Sequence, residues 1–254
     1  MPRKMHHGIG KPCLNQMAKD GTVWVEENIG MTSAVANRSC FTAQAGPTES
    51  SKHKITSVLQ SFLCPLDVGM LQTIRECVVH QARRTEPDWN LTIHELMAFI
   101  SILFVRAIMC PIGAIVDCWS ESFLVPVIKE TIPRDRFLSI MQHLRFDDKD
   151  RRAERMKTDK FAAISDIWTR FTKNCAESFT PGEHMTIDEQ LFPTKVRCPF
   201  TQYTATKPDK FGIKFWMSTD LETKYVCNAS PYLGKDPSRQ KEERLAESVE
   251  KIDN

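Results

Sequence analysis

The sequence lacks a pronounced charge of either sign. Lys and Arg total 34 and Asp and Glu total 32 over 254 residues, which gives a formal net charge of +2. This balance excludes a uniformly basic binder of the histone type, so any nucleic-acid site must be a local patch. With 41% hydrophobic and 26% charged residues, the composition is typical of one or two globular domains.

Cysteine spacings typical of metal sites and disulfide scaffolds are also absent. The nine cysteines are an odd number, lie 8 to 57 residues apart and include no Cys-X-X-Cys pair. A zinc finger and a disulfide-rich scaffold are therefore excluded. Most of the cysteines have apolar neighbours, so we predict buried thiols and a reducing compartment, either cytosol or nucleus.

The sequence has no apolar run long enough to cross a membrane. The longest apolar stretch is 96–116, and Arg106 interrupts it while Pro111 breaks its far end. About 20 uninterrupted apolar residues are needed for a span, so we predict a buried helix and no membrane association. The charged amino terminus is followed by glycines rather than an apolar segment, which predicts no signal peptide.

Three regions follow one another along the chain. Residues 1–54 are rich in Gly, Ser, Thr and Asn and are predicted to be mostly flexible, apart from a short strand-like piece at 22–25. From residue 55 to 178, apolar residues recur at helical spacing, which predicts a helical domain. Its clearest helix starts at Thr92, because Glu95 three residues later completes a capping box. Two helices, at 55–62 and 70–78, are expected on either side of a break at 67–69. Further helices are expected at 134–144 and 161–171.

A stretch of mixed charge at 145–160 joins two of the predicted helices. It contains seven basic and five acidic residues. The commoner interpretation is a solvated connector. The alternative is a strip that contacts DNA phosphates through Arg151, Arg152 and Arg155.

Beyond residue 178 the hydrophobic period changes from 3.6 to 2. Strands are predicted at 185–192, 211–219 and 224–233, the last two joined by a tight turn, and a helix at 239–252 follows Asp236 and Pro237. The predicted fold is mixed: a mostly α-helical N-terminal domain, followed at 179–254 by a partial α/β core made of a three-stranded antiparallel meander and a helix. This order of elements opens the ribonuclease-H-like nuclease fold.

Asp188 is the one candidate catalytic residue that the pattern isolates. It interrupts a strand otherwise made of β-forming residues, where aspartate is disfavoured. Either this face of the strand is simply solvent-exposed, or the carboxylate is held on a rigid strand to bind a divalent cation.

The residues around Asp188 resemble a known family. The segments MTIDEQLFP at 185–193, RCPFTQY at 197–203, KPDKFGIKFW at 207–216 and PYLGKD at 231–236 closely resemble the piggyBac transposases and their host-domesticated relatives. A looser similarity extends upstream to about residue 55.

The resemblance implies a nuclear DNA transposase that cuts and pastes at TTAA sites. Such a protein has a ribonuclease-H-like core in which three aspartates bind two Mg²⁺ ions, and Asp188 corresponds to the first catalytic and metal-binding aspartate. The resemblance further implies a homodimer that binds TTAA target DNA and transposon ends. The basic residues around the motif are the expected phosphate contacts: Lys195, Arg197, Lys207, Lys210 and Lys214.

The resemblance does not extend to the later catalytic aspartates of the family. In the family the second aspartate lies in an Asp-Asn pair on a later strand, and the third lies far downstream, followed by a cysteine-rich zinc module. This chain ends at Asn254, so we expect it to be catalytically incomplete. Three hypotheses follow: a truncated transposase, a domesticated DNA- or chromatin-binding module without nuclease activity, and, with no supporting motif, an unrelated cysteine-dependent enzyme.

Overall fold

The computed structural model describes residues 44–109, 113–120, 126–196, 198–206 and 209–234, and the backbone at 16–17 and 23–24. The chain divides into two compact units, 1–42 and 43–254. In the first unit, strand β1 (Gln16–Met17) pairs antiparallel with β2 (Val23–Trp24), which confirms the strand expected near residue 23. The domain boundaries predicted at 54/55 and 178/179 stay predictions.

Among its described residues, the second unit begins with a short strand that is followed by eight α-helices. Strand β3 (Gly46–Pro47) pairs antiparallel with β4 (Phe179–Thr180), and a 3-10 helix at Ile115–Trp119 follows the fourth helix. The helices are α1 (Glu49–Lys54), α2 (Val58–Phe62), α3 (Val68–Ala82), α4 (Ile93–Met109), α5 (Pro126–Thr131), α6 (Arg134–His143), α7 (Lys149–Arg155) and α8 (Ser165–Ser178). In the part of the chain that the structure describes, no helix is both long and apolar enough to cross a bilayer.

Capping side chains set the starts of the two longest helices. Asp67 accepts a hydrogen bond of 3.0 Å from the backbone N–H of Met70 at the start of α3. At α4, the Thr92 hydroxyl accepts from the Glu95 N–H at 3.1 Å, and the Glu95 carboxylate accepts from the Thr92 N–H at 3.0 Å. This reciprocal pair confirms the predicted capping box.

The larger hydrophobic core lies between α3, α4, α5 and α6. Phe99 of α4 stacks on Phe137 of α6 with ring centroids 4.7 Å apart, and both side chains are fully buried. Met70 and Leu71 of α3 and Ile128 of α5 complete the same cluster. The apolar face predicted for 134–144 is therefore the face that packs.

Two helical boundaries differ from the expectation. The stretch 145–160 contains helix α7, because the Asp148 side chain accepts from the Asp150 N–H at 3.0 Å and caps it. The helix expected at 161–171 begins only at Ser165. Asp159 accepts from the Phe161 N–H at 2.7 Å and holds a turn there, which leaves Phe161 free to enter a second apolar cluster.

A four-stranded antiparallel sheet follows α8. Its central strand is β7 (Phe211–Asp220), which pairs along one edge with β5 (Met185–Pro193). The other edge pairs with β8 (Val226–Pro231) and with the short β6 (Gln202–Tyr203). The three predicted strands are confirmed and β6 is an addition, whereas the helix expected at 239–252 lies outside the described residues. The structure is thus a mixed helix and sheet fold.

Candidate nucleic-acid and metal site

Asp188 lies at the middle of β5 with its side chain exposed. Its Oδ1 accepts a hydrogen bond of 2.7 Å from the backbone N–H of Glu189. Asp188 is directly opposite Met217 of β7, and Met217 is opposite Ala229 of β8. Directly paired residues of antiparallel strands share a face, so the carboxylate stands on the same face of the sheet as Met217 and Ala229.

This face of the sheet is anchored by aromatic packing against the helices. Phe215 is buried and lies 4.8 Å from Trp168 of α8 and 6.2 Å from Phe161, centroid to centroid. The Trp168 indole N–H donates to the Ala229 carbonyl at 2.9 Å. Because these contacts fix the middle of β7 through Phe215 and its neighbour β8 through Ala229, β5 presents Asp188 from a supported strand.

A second carboxylate, Asp220, closes the end of β7 and has a structural role. It is fully buried and accepts hydrogen bonds of 2.7 Å from the Thr223 N–H, the Thr223 hydroxyl and the Gly182 N–H. These bonds, those from Thr223 first, lower the pKa of Asp220 to about 2. Sequence reasoning placed a turn here but missed this role, although an aspartate at the start of a turn commonly accepts hydrogen bonds from the backbone that follows it.

The described residues do not fit a two-metal centre at Asp188. The neighbouring Glu189 points to the opposite face and forms an ion pair with Lys214. Among the described residues, one group of three His, Asp, Glu or Cys side chains brings its ligand atoms within 4.8 Å of one another, and it comprises His80, Asp148 and Asp150 rather than Asp188. The two carboxylates of that group already pair with arginines. A single carboxylate does not hold two metal ions in a catalytic geometry.

The basic residues around β5 and β7 have different environments. Lys195 and Lys210 are exposed, and neither forms an ion pair within the described part of the chain. Lys214 pairs with Glu189, and its ammonium lies 4.4 Å from the Trp216 ring centroid. The predicted contacts Arg197 and Lys207 lie outside the described residues.

The arginines of the 145–160 stretch are largely engaged with acidic partners. Arg152 forms a two-point ion pair with the buried Asp147. Arg155 binds Asp166 at 2.8 Å and the Ser165 hydroxyl at 3.0 Å. Arg151 is largely exposed and lies 3.6 Å from Asp148. DNA contact by these three residues stays a prediction, and Arg151 is the one whose guanidinium is most accessible.

Comparison with known proteins places this architecture in a family. The family model described as Transposase IS4 matches residues 57–252. The chain is 29% identical over 229 residues to the human PiggyBac transposable element-derived protein 3 and, over the same length, to the human Chimeric ERCC6-PGBD3 protein. The chain belongs to the IS4 transposase family, in its piggyBac lineage.

A solved structure supports the same assignment. The chain matches a piggyBac transposase determined by cryo-electron microscopy as a synaptic complex with hairpin DNA, with a TM-score of 0.74 and 29% identity over 83% of this chain. The match covers 45% of that transposase. The two human relatives are covered over 35% and 20% of their lengths, against 89% of this chain. The chain thus spans less than half of each of these proteins.

Proposed function

We propose that this chain is the part of a piggyBac-type transposase that binds DNA and carries the first catalytic carboxylate, Asp188. The observation that carries the proposal is the position of Asp188. It stands exposed at the centre of a strand that the aromatic cluster holds rigidly through β7. The supporting fold match is to a transposase in complex with DNA.

We further propose that the sheet is the beginning of a ribonuclease-H-like core. Three properties support this layout: the antiparallel order β5, β7, β8, the packing of α8 on one face, and an aspartate on the first long strand. In such a core the aspartate on the first strand is one of three that bind Mg²⁺, the arrangement called a DDD motif. The family implies a divalent metal in general, and Asp188 is the residue of this chain that would contribute to holding it.

DNA binding by the β5 to β7 region is supported by its unpaired positive charge. Lys195 and Lys210 project from the segment between the two strands without acidic partners among the described residues. Lysines that neutralise phosphates release counterions, so their contribution depends strongly on salt. Lys214 has a different role here, because Glu189 already neutralises it.

Three further parts of the proposal come from the family resemblance. They are the recognition of TTAA sites and transposon ends, assembly as a homodimer, and a nuclear location. For the dimer, the structure supplies a supporting feature in the C-terminal half of α4. There Phe104, Ile108 and Met109 are 56%, 77% and 62% exposed, respectively. Exposed apolar side chains grouped on one helix are typical of protein contact surfaces.

A second candidate function is DNA or chromatin binding without cleavage. It is favoured by the solitary position of Asp188, which belongs to none of the ligand groups found among the described residues. Under this alternative the 254-residue polypeptide binds DNA, but added Mg²⁺ or Mn²⁺ leads to no strand cleavage.

Fluorescence anisotropy with a TTAA-containing duplex tests DNA binding. We expect the affinity to fall steeply between about 50 and about 200 mM salt, and Lys195→Ala and Lys210→Ala each to reduce the log–log salt slope by about 1. Lys52→Ala is the matched control, because Lys52 is an exposed lysine on α1 that is paired with Glu49. DNA binding that is absent, or equally affected by all three variants, would contradict the proposal.

A nicking assay on the same duplex separates the two candidates. Cleavage by the wild-type chain that is abolished in Asp188→Asn would show that Asp188 works in a complete catalytic centre. Binding without cleavage in both proteins would favour the second candidate.

A further inference from the structure

Two aromatic side chains stand together on the surface where β6 meets β7. Tyr203 and Phe211 are direct cross-strand partners, and their ring centroids are 5.0 Å apart. Both are more than half exposed, at 59% and 56%. By contrast, the nearby Phe200 and Phe215 are buried in the aromatic cluster at 6% and 7%. The exposed pair therefore lies outside the core that stabilises the sheet.

Phe211 also forms part of the wall of a groove with a volume of about 630 Å³. Lys195 lines the same groove, together with small and apolar residues: Thr194, Val196, Cys198, Pro199 and Thr201. The Thr194 N–H donates to the Phe211 carbonyl at 3.2 Å, which fixes the backbone beside Lys195 against β7.

The segment of the chain that carries this surface has more basic than acidic residues. Lys210 directly precedes Phe211 in the chain, and its carbonyl accepts from the Thr204 N–H at 2.8 Å. This bond ties the backbone of Lys210 to the end of β6. Over residues 194–211 the sequence contains four basic residues and one acidic residue. An occupant with negative charge and a flat apolar surface is complementary to this combination.

We propose that Tyr203 and Phe211 form a stacking platform for an unpaired nucleobase of a DNA strand, and that Lys195 and Lys210 bind the phosphates on either side of it. The proposal rests on the DNA-binding function proposed above and specifies the kind of DNA. Bases within a duplex are covered by their neighbours, whereas an unpaired base offers its face to an aromatic ring. Such stacking tolerates any base sequence, because every base has a π face.

The platform lies on the same face of the sheet as Asp188. Phe211 and Met217 are six positions apart on β7, so their side chains project to one side, and Met217 is the cross-strand partner of Asp188. At a rise of about 3.3 Å per residue, the platform is about 20 Å from the carboxylate. The platform and Asp188 thus share one face of the sheet, with the buried aromatic cluster around Phe215 between them.

The test compares two DNAs that share one duplex. One is blunt, and the other has a short single-stranded overhang that contains the fluorescent base 2-aminopurine. We expect the 254-residue chain to bind the overhang DNA about tenfold more tightly and to quench the 2-aminopurine. In the double variant Tyr203→Leu/Phe211→Leu, the preference should fall to about twofold or less and the quenching should be lost. Leucine retains apolar bulk but has no flat ring.

Two further variants make the comparison specific. Val58→Ala removes an exposed apolar side chain on α2, away from the sheet, and should retain both the preference and the quenching. Tyr203→Phe should also retain them, because the ring rather than the hydroxyl provides the stacking. Thermal unfolding followed by circular dichroism establishes that each variant is folded.

The outcomes distinguish this inference from the function on which it rests. A wild-type chain that binds blunt and overhang DNA equally, or a double variant that keeps the preference, overturns the platform and leaves DNA binding intact. A double variant that changes the oligomeric state but not the preference shows that the aromatic pair is a protein contact, which also overturns the platform. A wild-type chain that binds neither DNA overturns both proposals.

Discussion

Replacing Asp67 should remove the hydrogen bonds and the ion pair by which this residue joins α3 to α8. Its carboxylate caps α3 through the Met70 N–H at 3.0 Å. It also accepts from Arg170 at 2.6 and 2.8 Å and from the Asn174 amide at 2.7 Å, both on α8. Removal of a helix cap costs about 1 kcal/mol, and a lost hydrogen bond to a partly buried partner such as Asn174 costs about 1 kcal/mol. The half-exposed Arg170 adds up to about 1 kcal/mol.

Asp67→Ala should therefore lower the free energy of unfolding by about 2 to 3 kcal/mol, or Tm by roughly 5 to 10 °C. Asp67→Asn retains the cap and should cost about 1 kcal/mol. The matched control is Asp135→Asn, because the Asp135 side chain is 84% exposed and its ion pair is with the adjacent Arg134. Urea unfolding followed by tryptophan fluorescence measures all three. An Asp67→Ala cost no larger than that of Asp135→Asn would refute this role.

The pH dependence of the stability difference between wild type and Asp67→Asn provides an independent check of the role of Asp67. Burial raises the pKa of Asp67, but the bonds from Asn174, Met70 and Arg170 together outweigh it and hold the pKa below the usual 3.8. The charged carboxylate therefore stabilises the fold above the unfolded-state pKa, and this contribution is lost as the pH falls through the lower folded-state value. The stability difference between wild type and Asp67→Asn should narrow correspondingly in acid.

Two further perturbations act on the sheet. The pKa of Asp220 is lowered from 3.8 to about 2, so the charged carboxylate stabilises the fold above pH 3.8 and this effect is lost as the pH falls towards 2. The Tm of the wild type should therefore decline more steeply over this interval than the Tm of Asp220→Asn. Parallel declines of the two Tm values would contradict this role. Phe215→Ala should cost about 3 to 5 kcal/mol in urea unfolding because it empties the centre of the aromatic cluster, and Phe215→Leu less than about 1.5 kcal/mol. A Phe215→Ala cost below that of Phe215→Leu would exclude a packed cluster.

Much of the fold could be predicted from the sequence, because its strongest signals are local. The capping box at Thr92 and the period-2 pattern at 185–192 depend on neighbouring residues, and both are confirmed. Helix α7 was missed because its charged sequence has no apolar stripe. Its stability instead comes from the Asp148 cap and from ion pairs with other elements, such as Arg84 with Asp150. Such pairs join residues far apart in the chain and leave no local pattern.

Only part of the candidate site could be predicted from the sequence, because only part of it follows from local patterns. Asp188 could be identified from its motif and its place in a strand. The roles of the basic residues could not be predicted. Sequence alone does not show that Glu189 neutralises Lys214, while Lys195 has no acidic partner within the described part of the chain. The Tyr203 and Phe211 pair was missed as well, because β6 is only two residues long and its partner is recognisable only from the register of the sheet.

The face on which Asp188 stands is decided by residues at the two ends of β5. Nine consecutive pairs join β5 to β7, from Met185 opposite Asp220 to Pro193 opposite Gly212. A shift of one residue would move Asp188 to the other face, away from Phe215 and the platform. Gly212 resists such a shift, because a Cβ at this position would lie 2.4 Å from the Phe192 carbonyl oxygen. Asp220 fixes the opposite end through Gly182 and Thr223. The position of the carboxylate therefore depends on a glycine and a buried aspartate that need not contact DNA themselves.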